Sequence, residues 1–270
     1  MINRIEIKKY NKMISGYAFH KFCKFSLCDR YPMMTKFEEI KDGDFIFINF
    51  DLFDYFLYTI RNIPKKLPKF NLVSHNSDRT FSNDHYNLIK PYIYKIYCIN
   101  CDVQNNPDII KIPIGFTDDM YKSHMIVKKV MCLPTVKDTL CYLNFTIGTN
   151  ILERQKCYQT LKDKEWIKCE FKIPTKTFYE QIKKSKYVIS PVGAGYDCYR
   201  VYESLLLDSI PIIIRNPLSD FYDKIPVFQI NSWEDLTKDY LVSNWCFLYN
   251  KLIDWKTNTP EWTKVEFWLK

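Results

Sequence analysis

The sequence predicts an α/β protein made of two similar halves, each a largely parallel sheet with helices between its strands. Three observations carry this. Short apolar runs recur along the chain. Helical stretches separate them in a β–loop–α–β rhythm. A charged, strand-poor stretch near the middle then divides one series from the next.

In the first half "GDFIFINF" (43–50) reads as a buried strand leaving a turn, and "FNLVSHNSD" (70–78) as a strand running into a polar loop. "YKIYCIN" (94–100) and "DIIKIPIGF" (108–116) read as two more strands, with "HYNLIKPYI" as a helix before them. From 117 to 138 the texture changes to "TDDMYKSHMIVKKVMCLPTVKDT", taken as a connector. The halves are therefore set at 1–135 and 136–270. The second opens with strand "LCYLNFTI" (140–147) and helix "TNILERQKCYQTLKD", whose apolar face is read as Leu152, Cys157 or Tyr158, and Leu161. "FYEQIKKS" (178–185) is a helix and "KYVIS" a strand ending at Ser190. A helix over 198–208, strand "IPIIIR" (210–215), helix "WEDLTKDYL" (233–241) and a Trp-rich tail complete it. No internal repeat or low-complexity tract interrupts the series.

The bulk numbers bound the function. A chain of 270 residues, 47% hydrophobic, can bury a sizeable core. A formal charge of +8 favours an anionic partner such as a phosphorylated small molecule, an acidic glycan or nucleic acid. The basic residues are interleaved with acidic ones and accompany no nucleic-acid-binding motif, so nucleic acid is set aside. The ten cysteines are irregularly spaced, and Cys98 and Cys101 form a lone C-x-x-C without a second pair. They read as reduced thiols, not as a metal site. The N-terminus lacks the apolar core of a signal peptide, and no run of 18 apolar residues occurs, so no membrane span is expected. The expectation is a soluble, cytoplasmic protein.

The most informative stretch is "SPVGAGYDCYRVYE" (190–203), which holds two of the six glycines between a strand and a helix. A loop at the carboxyl end of a parallel strand is where open α/β sheets bind ligands. Gly193 and Gly195 allow positive φ and close approach to a ligand. Asp197 is an N-cap candidate, and the helix start it opens carries partial positive charge suited to a diphosphate. Arg200 in the first turn could hold a phosphate in a bidentate contact, and Glu203 on nearly the same face could accept both hydroxyls of a ribose. The alternative is a plain turn followed by a surface Arg–Glu pair. The dinucleotide fingerprint G-x-G-x-x-G fails at Cys198, and G-x-x-x-x-G-K-[ST] is absent.

Residues 190–236, "SPVGAGYDCYRVYESLLLDSIPIIIRNPLSDFYDKIPVFQINSWEDL", resemble the donor-binding segment of exostosin-like glycosyltransferases (family 47). The resemblance is strongest to the compact soluble forms encoded by large DNA viruses. "NFTIGTNILER" (144–154) and "LVSHNSD" (72–78) also resemble this group. One departure is Asp208-Ser209, where the family more often has a glycine-containing turn. The resemblance implies a GT-B architecture, two Rossmann-like domains across a cleft with the donor held mainly by the C-terminal one. It implies that Ser190, Gly193, Gly195, Asp197 and Arg200 line the donor phosphates and that Glu203 meets the ribose. Arg154 would be a further phosphate contact, or else a surface helix arginine. It also implies inversion without a metal cofactor, the leaving diphosphate being met by arginines and a helix dipole. An Asp-x-Asp of the metal-using kind occurs only as "DGD" (42–44), which precedes its strand and reads as a turn.

Inversion requires a base for the acceptor hydroxyl. "SHNSD" offers His75 and Asp78 past a strand end. Either could serve; His75 could instead orient the acceptor, and Asp78 could cap a turn. The expected activity is transfer of a sugar from a nucleotide diphosphate sugar, a UDP-sugar favoured, to a glycan or glycoprotein hydroxyl. The alternative is a non-catalytic glycan- or nucleotide-binding protein on the same fold.

Overall fold

The computed structural model describes residues 13–118 and 123–270. Residues 1–12 of the N-terminal stretch and residues 119–122 of the connector lie outside the described residues. Two compact units emerge, one formed by 13–118 with Trp262–Lys270, the other by 123–261. This differs from the division at 135/136 on two counts. The stretch 123–131 is a helix packed within the second unit, and the last nine residues belong to the first.

The first unit runs α1 (Gly16–Phe22), β1 (Phe25–Leu27), β2 (Phe45–Asn49), α2 (Phe53–Arg61), β3 (Phe70–His75), α3 (Asn83–Ile89), β4 (Ile93–Cys98) and β5 (Ile109–Lys111). All four pairings are parallel and the sheet order is β1-β2-β3-β4-β5. Among the described residues this order never reverses. The strands "FIFIN" and "FNLVSH" are buried along almost their whole length because helices cover the sheet. In α2, Phe53, Phe56, Leu57 and Ile60 are buried at helical spacing against β2 and β3. Gly43 of "DGD" has φ +77°, and Asp44 accepts from the Lys41 N–H at 2.8 Å, so the tripeptide is the expected turn.

The second unit contains α4 (Ser123–Met131), β6 (Thr139–Leu143), α5 (Ile151–Leu161), β7 (Ile167–Cys169), α6 (Thr175–Lys184) and β8 (Ser185–Ile189). It continues with α7 (Tyr199–Leu206), β9 (Ile210–Ile214), α8 (Ser219–Tyr222), β10 (Phe228–Ile230) and α9 (Lys238–Asn258). Every pairing is again parallel, in the order β10-β9-β8-β6-β7. The chain leaves β6 for β7 on one side, then crosses back to β8 on the other. Winding thus reverses between β6 and β8, the position at which open α/β sheets bind ligands beyond their carboxyl ends. From the tail, α10 (Val265–Trp268) packs against α1, with the Ile14 N–H donating to Thr263 O at 2.8 Å.

Several sequence readings are corrected. The apolar face of α5 does not include Leu152, which is 84% exposed; Cys157 and Leu161 are buried with Arg154 in its place. "WEDLTKDYL" is not one helix: a 3-10 turn at Trp233–Asp235 precedes the separate α9. The connector contains α4, whose carboxyl end is closed by the buried Lys183 amine donating to the carbonyls of Val130, Met131 and Leu133. At the family departure, Asp208 takes φ +60°, the left-handed conformation a glycine would supply, and its carboxylate pairs with Lys256. The turn survives without glycine.

Candidate active site

The loops after β6 and β8 are held together by one side chain. Arg154, from the first turns of α5, is 6% exposed and reaches back across both loops. Its Nε donates to Val192 O at 2.9 Å and its Nη1 to Thr146 O at 2.8 Å. Asn150 caps α5 by accepting from the Glu153 N–H, and its Nδ2 donates to Gly193 O at 2.9 Å. Gly193 is needed for space, not for backbone angle. Its φ is not positive, but a Cβ there would stand 3.1 Å from Arg154 Nη2. The expectation of positive φ at that glycine is corrected to one of close approach. Gly195 is buried and its carbonyl accepts from the Gly193 N–H at 3.2 Å, which closes the turn.

Asp197 is not the N-cap. Cys198 occupies that position and no side chain caps α7. The buried Asp197 carboxylate instead accepts from the Tyr202 hydroxyl at 2.6 Å, the Tyr222 hydroxyl at 2.7 Å and the Cys198 N–H at 2.8 Å. It braces the loop from within. Ser190 is also turned inward, its N–H donating to Ile212 O at 2.8 Å and its hydroxyl to Val188 O.

Arg200 and Glu203 do not form the alternative surface pair. Glu203 is 8% exposed and Arg200 is partly buried. The guanidiniums of Arg154 and Arg200 both stack on Phe145, 5.7 and 5.8 Å from the ring centroid. Whereas Arg154 is satisfied by carbonyls, the Nε and Nη1 of Arg200 are buried without a partner. Burial, and after it the charge of Arg200, push the Arg154 guanidinium below its ordinary range. Two like charges therefore share one desolvated spot without a carboxylate in ion-pair contact, an arrangement that an anion would relieve. Glu203 Oε1 accepts from the Tyr179 hydroxyl at 2.9 Å. Burial raises the pKa of this carboxyl, and the Arg200 charge and the Tyr179 hydrogen bond pull it back.

The glycine loop lines a cavity of about 400 Å³ together with Asn150 and Glu153, and with Arg215, Asn216 and Trp233 from the end of β9 and the turn after β10. Arg154, Arg200 and Glu203 do not line it. Phe145, Asn150, Tyr179 and Trp233 were missed in the sequence. Asn150 carried a readable signal as an N-cap before a helix; the other three look like core aromatics.

In the first unit, His75 ends β3 and is 1% exposed. Its Nε2–H donates to Pro113 O at 3.3 Å, its Nδ1 lies 2.8 Å from the Asn76 N–H, and its ring packs against Phe19. Burial lowers its pKa. Asp78, three residues on, is exposed and makes no hydrogen bond or ion pair among the described residues. The two candidate bases therefore have opposite environments. Among the described residues no His, Cys, Asp and Glu cluster is arranged to hold a metal, and no helix is long and apolar enough to cross a membrane.

A family model described as the RXYLT1 C-terminal domain matches residues 142–220, the segment from β6 through the glycine loop, α7 and β9. No curated protein matches the chain in sequence. Among solved structures, an α,α-trehalose-phosphate synthase (UDP-forming) from Burkholderia vietnamiensis aligns at 8% identity and a TM-score of 0.46, over 83% of this chain and 69% of the other. The pneumococcal O-GlcNAc transferase GtfA, in complex with UDP and GlcNAc, aligns at 10% identity and a TM-score of 0.36, over 85% and 53%. Neither likeness is close enough to carry a residue or a substrate across.

Proposed function

We propose that the second unit binds a nucleoside diphosphate sugar beyond the carboxyl ends of β6 and β8, and that the enzyme transfers the sugar to a glycan hydroxyl with inversion. The observation that carries this is the buried, unpartnered Nε and Nη1 of Arg200 beside the glycine loop. A cation left so in the unliganded fold costs stability unless a ligand repays it. A diphosphate does so, meeting Arg200 and the uncapped start of α7 with its oxygens. Arg154 then acts by holding the loop. The cavity beside the loop takes the base, and the ribose, lying outside it, meets Glu203 Oε2.

In the reaction the acceptor oxygen attacks the anomeric carbon as the bond from that carbon to the diphosphate oxygen breaks. The charge that develops on the diphosphate falls on Arg200 and the α7 N-terminus, which would do the work a divalent cation does elsewhere. The acceptor proton goes to Asp78, preferred over His75 because its carboxylate is exposed and unengaged, while both histidine nitrogens are held in the core.

The test is nucleotide release from a panel of UDP- and GDP-sugars, with and without glycan acceptors. Release that depends on an acceptor and falls at least about 100-fold in Asp78→Asn supports the reading. Donor binding without turnover, unchanged by Asp78→Asn, makes the protein a non-catalytic binder. No binding to any donor refutes the proposal.

A further inference from the structure

We propose that Tyr179 is a positioning residue that fixes the Glu203 carboxylate for the ribose of the donor. This rests on the reading of Glu203 as the ribose acceptor and adds a residue from another helix. Tyr179 lies on α6, which packs against α7, and it is 3% exposed, too deep to touch a ligand itself. Its hydroxyl donates to Glu203 Oε1 at 2.9 Å. Its ring lies 5.4 Å from that of Phe178, which in turn lies 6.3 Å from the Tyr142 ring, so the hydroxyl is carried on a packed aromatic row. One carboxylate oxygen is thereby tied to the core, and rotation about the terminal carbon–carbon bond is stopped. The other oxygen is left with one direction in which to accept.

The same bond also acts on charge. A hydrogen bond donated to a carboxylate favours its ionised form, opposing the burial that favours the neutral one. The groups that face Glu203 are few. Arg200 stands three residues earlier on its own helix, and Tyr179 reaches it from α6. The covering strand β9, "IPIII", brings no titratable group. From α9, Lys256 donates to the Leu205 and Leu206 carbonyls and pairs with Asp208 at the far end of α7. Removing the Tyr179 hydroxyl therefore leaves Arg200 as the one remaining group that holds the carboxylate charged, and leaves Oε1 buried without a donor.

The experiment is calorimetric titration of UDP into the full chain, as wild type, Tyr179→Phe, Glu203→Gln and the double variant, from about pH 5 to about pH 8. Wild-type affinity is expected to weaken towards acid pH as Glu203 takes up a proton. In Tyr179→Phe the midpoint of that fall moves up by about half a pH unit or more, and affinity near neutral pH drops about 3- to 10-fold. With 2′-deoxy-UDP the drop shrinks to less than about twofold. In the Glu203→Gln background, Tyr179→Phe adds no further loss, the non-additivity expected of two residues acting as one unit; this comparison also separates positioning from a general effect on folding. Wild-type affinity and midpoint in Tyr179→Phe, alongside a weakened Glu203→Gln, would overturn the positioning role alone. Wild-type affinity in Glu203→Gln would overturn the ribose reading and the inference with it.

Discussion

Replacing Arg200 by methionine should make the unliganded protein more stable and nearly blind to nucleotide. Methionine keeps an unbranched stem of similar reach and removes the guanidinium. In the free protein that group holds Nε and Nη1 buried without partners, a cost of about 1–3 kcal/mol that is larger for a charged group. It also stands close enough to Arg154 to lower that residue's pKa. Against this the variant loses one cation–π contact with Phe145 at 5.8 Å, worth about 0.5–2 kcal/mol. The balance favours the variant by about 1 kcal/mol, a rise in Tm of about 2–4 °C for a unit of this size.

The liganded state moves the other way. Two charge-assisted hydrogen bonds to phosphate oxygens vanish, roughly 2–4 kcal/mol, so affinity for UDP falls about 30- to 700-fold. Differential scanning fluorimetry reads both effects. Wild type at about 100 times its dissociation constant gains about 2.7 kcal/mol from the ligand, and Arg200→Met at the same UDP concentration gains only about 0.1–0.9 kcal/mol. A variant with a lower Tm than wild type and an undiminished response to UDP would refute the reasoning: the guanidinium would then be a structural cation with unseen support.

Asp197→Asn tests the opposite assignment, that this residue braces the loop and does not meet the donor. Its carboxylate accepts from two tyrosine hydroxyls and a backbone N–H, and an amide places an N–H where one of these donors points. A loss of about 1–3 kcal/mol is expected in urea titration, while UDP still raises the Tm by the wild-type amount; loss of the UDP response at unchanged stability would move Asp197 to the ligand. A pH series tests His75. Its folded pKa is lowered by burial, so the unfolded chain takes up the proton first as pH falls below about 6.5. Stability should be at its full value above that pH and decline towards pH 5. The decline should be shallower in His75→Gln, and an equal slope in the two proteins would show that His75 is not a source of the acid sensitivity.

The strands were legible because parallel sheets bury both faces, and "FIFIN", "KYVI" and "IPIII" carry that signature in composition alone. The glycine turn at 190–203 was legible for the same reason, because it directly follows such a strand and opens a helix. What stayed hidden was direction. Arg154 looks like any helix arginine until α5 is seen to turn that face to the sheet and expose Leu152 instead. Asp197 sits at the spacing of a cap, yet Tyr202 and Tyr222 share its carboxylate with the Cys198 N–H, and no sequence pattern marks the tyrosines as its partners. The helix α2 escaped because Phe, Tyr, Thr and Ile in "FDYFLYTI" have strand propensity, which packing against β2 and β3 overrides.

The two arginines show why residue type alone could not assign roles. Both stack on Phe145, and both come from first turns of helices that follow the strands at the winding reversal. They differ only in what already occupies their donors. Arg154 spends its Nε and Nη1 on Val192 and Thr146 carbonyls, so a phosphate could take them only by releasing the loop. Arg200 has nothing to release. An arriving diphosphate is therefore drawn to the residue whose bonds are unmade, and the loop stays shaped because its neighbour's bonds are made. Exchanging the two states, by giving Arg200 a carboxylate partner or by freeing Arg154, would cost affinity in the first case and loop order in the second.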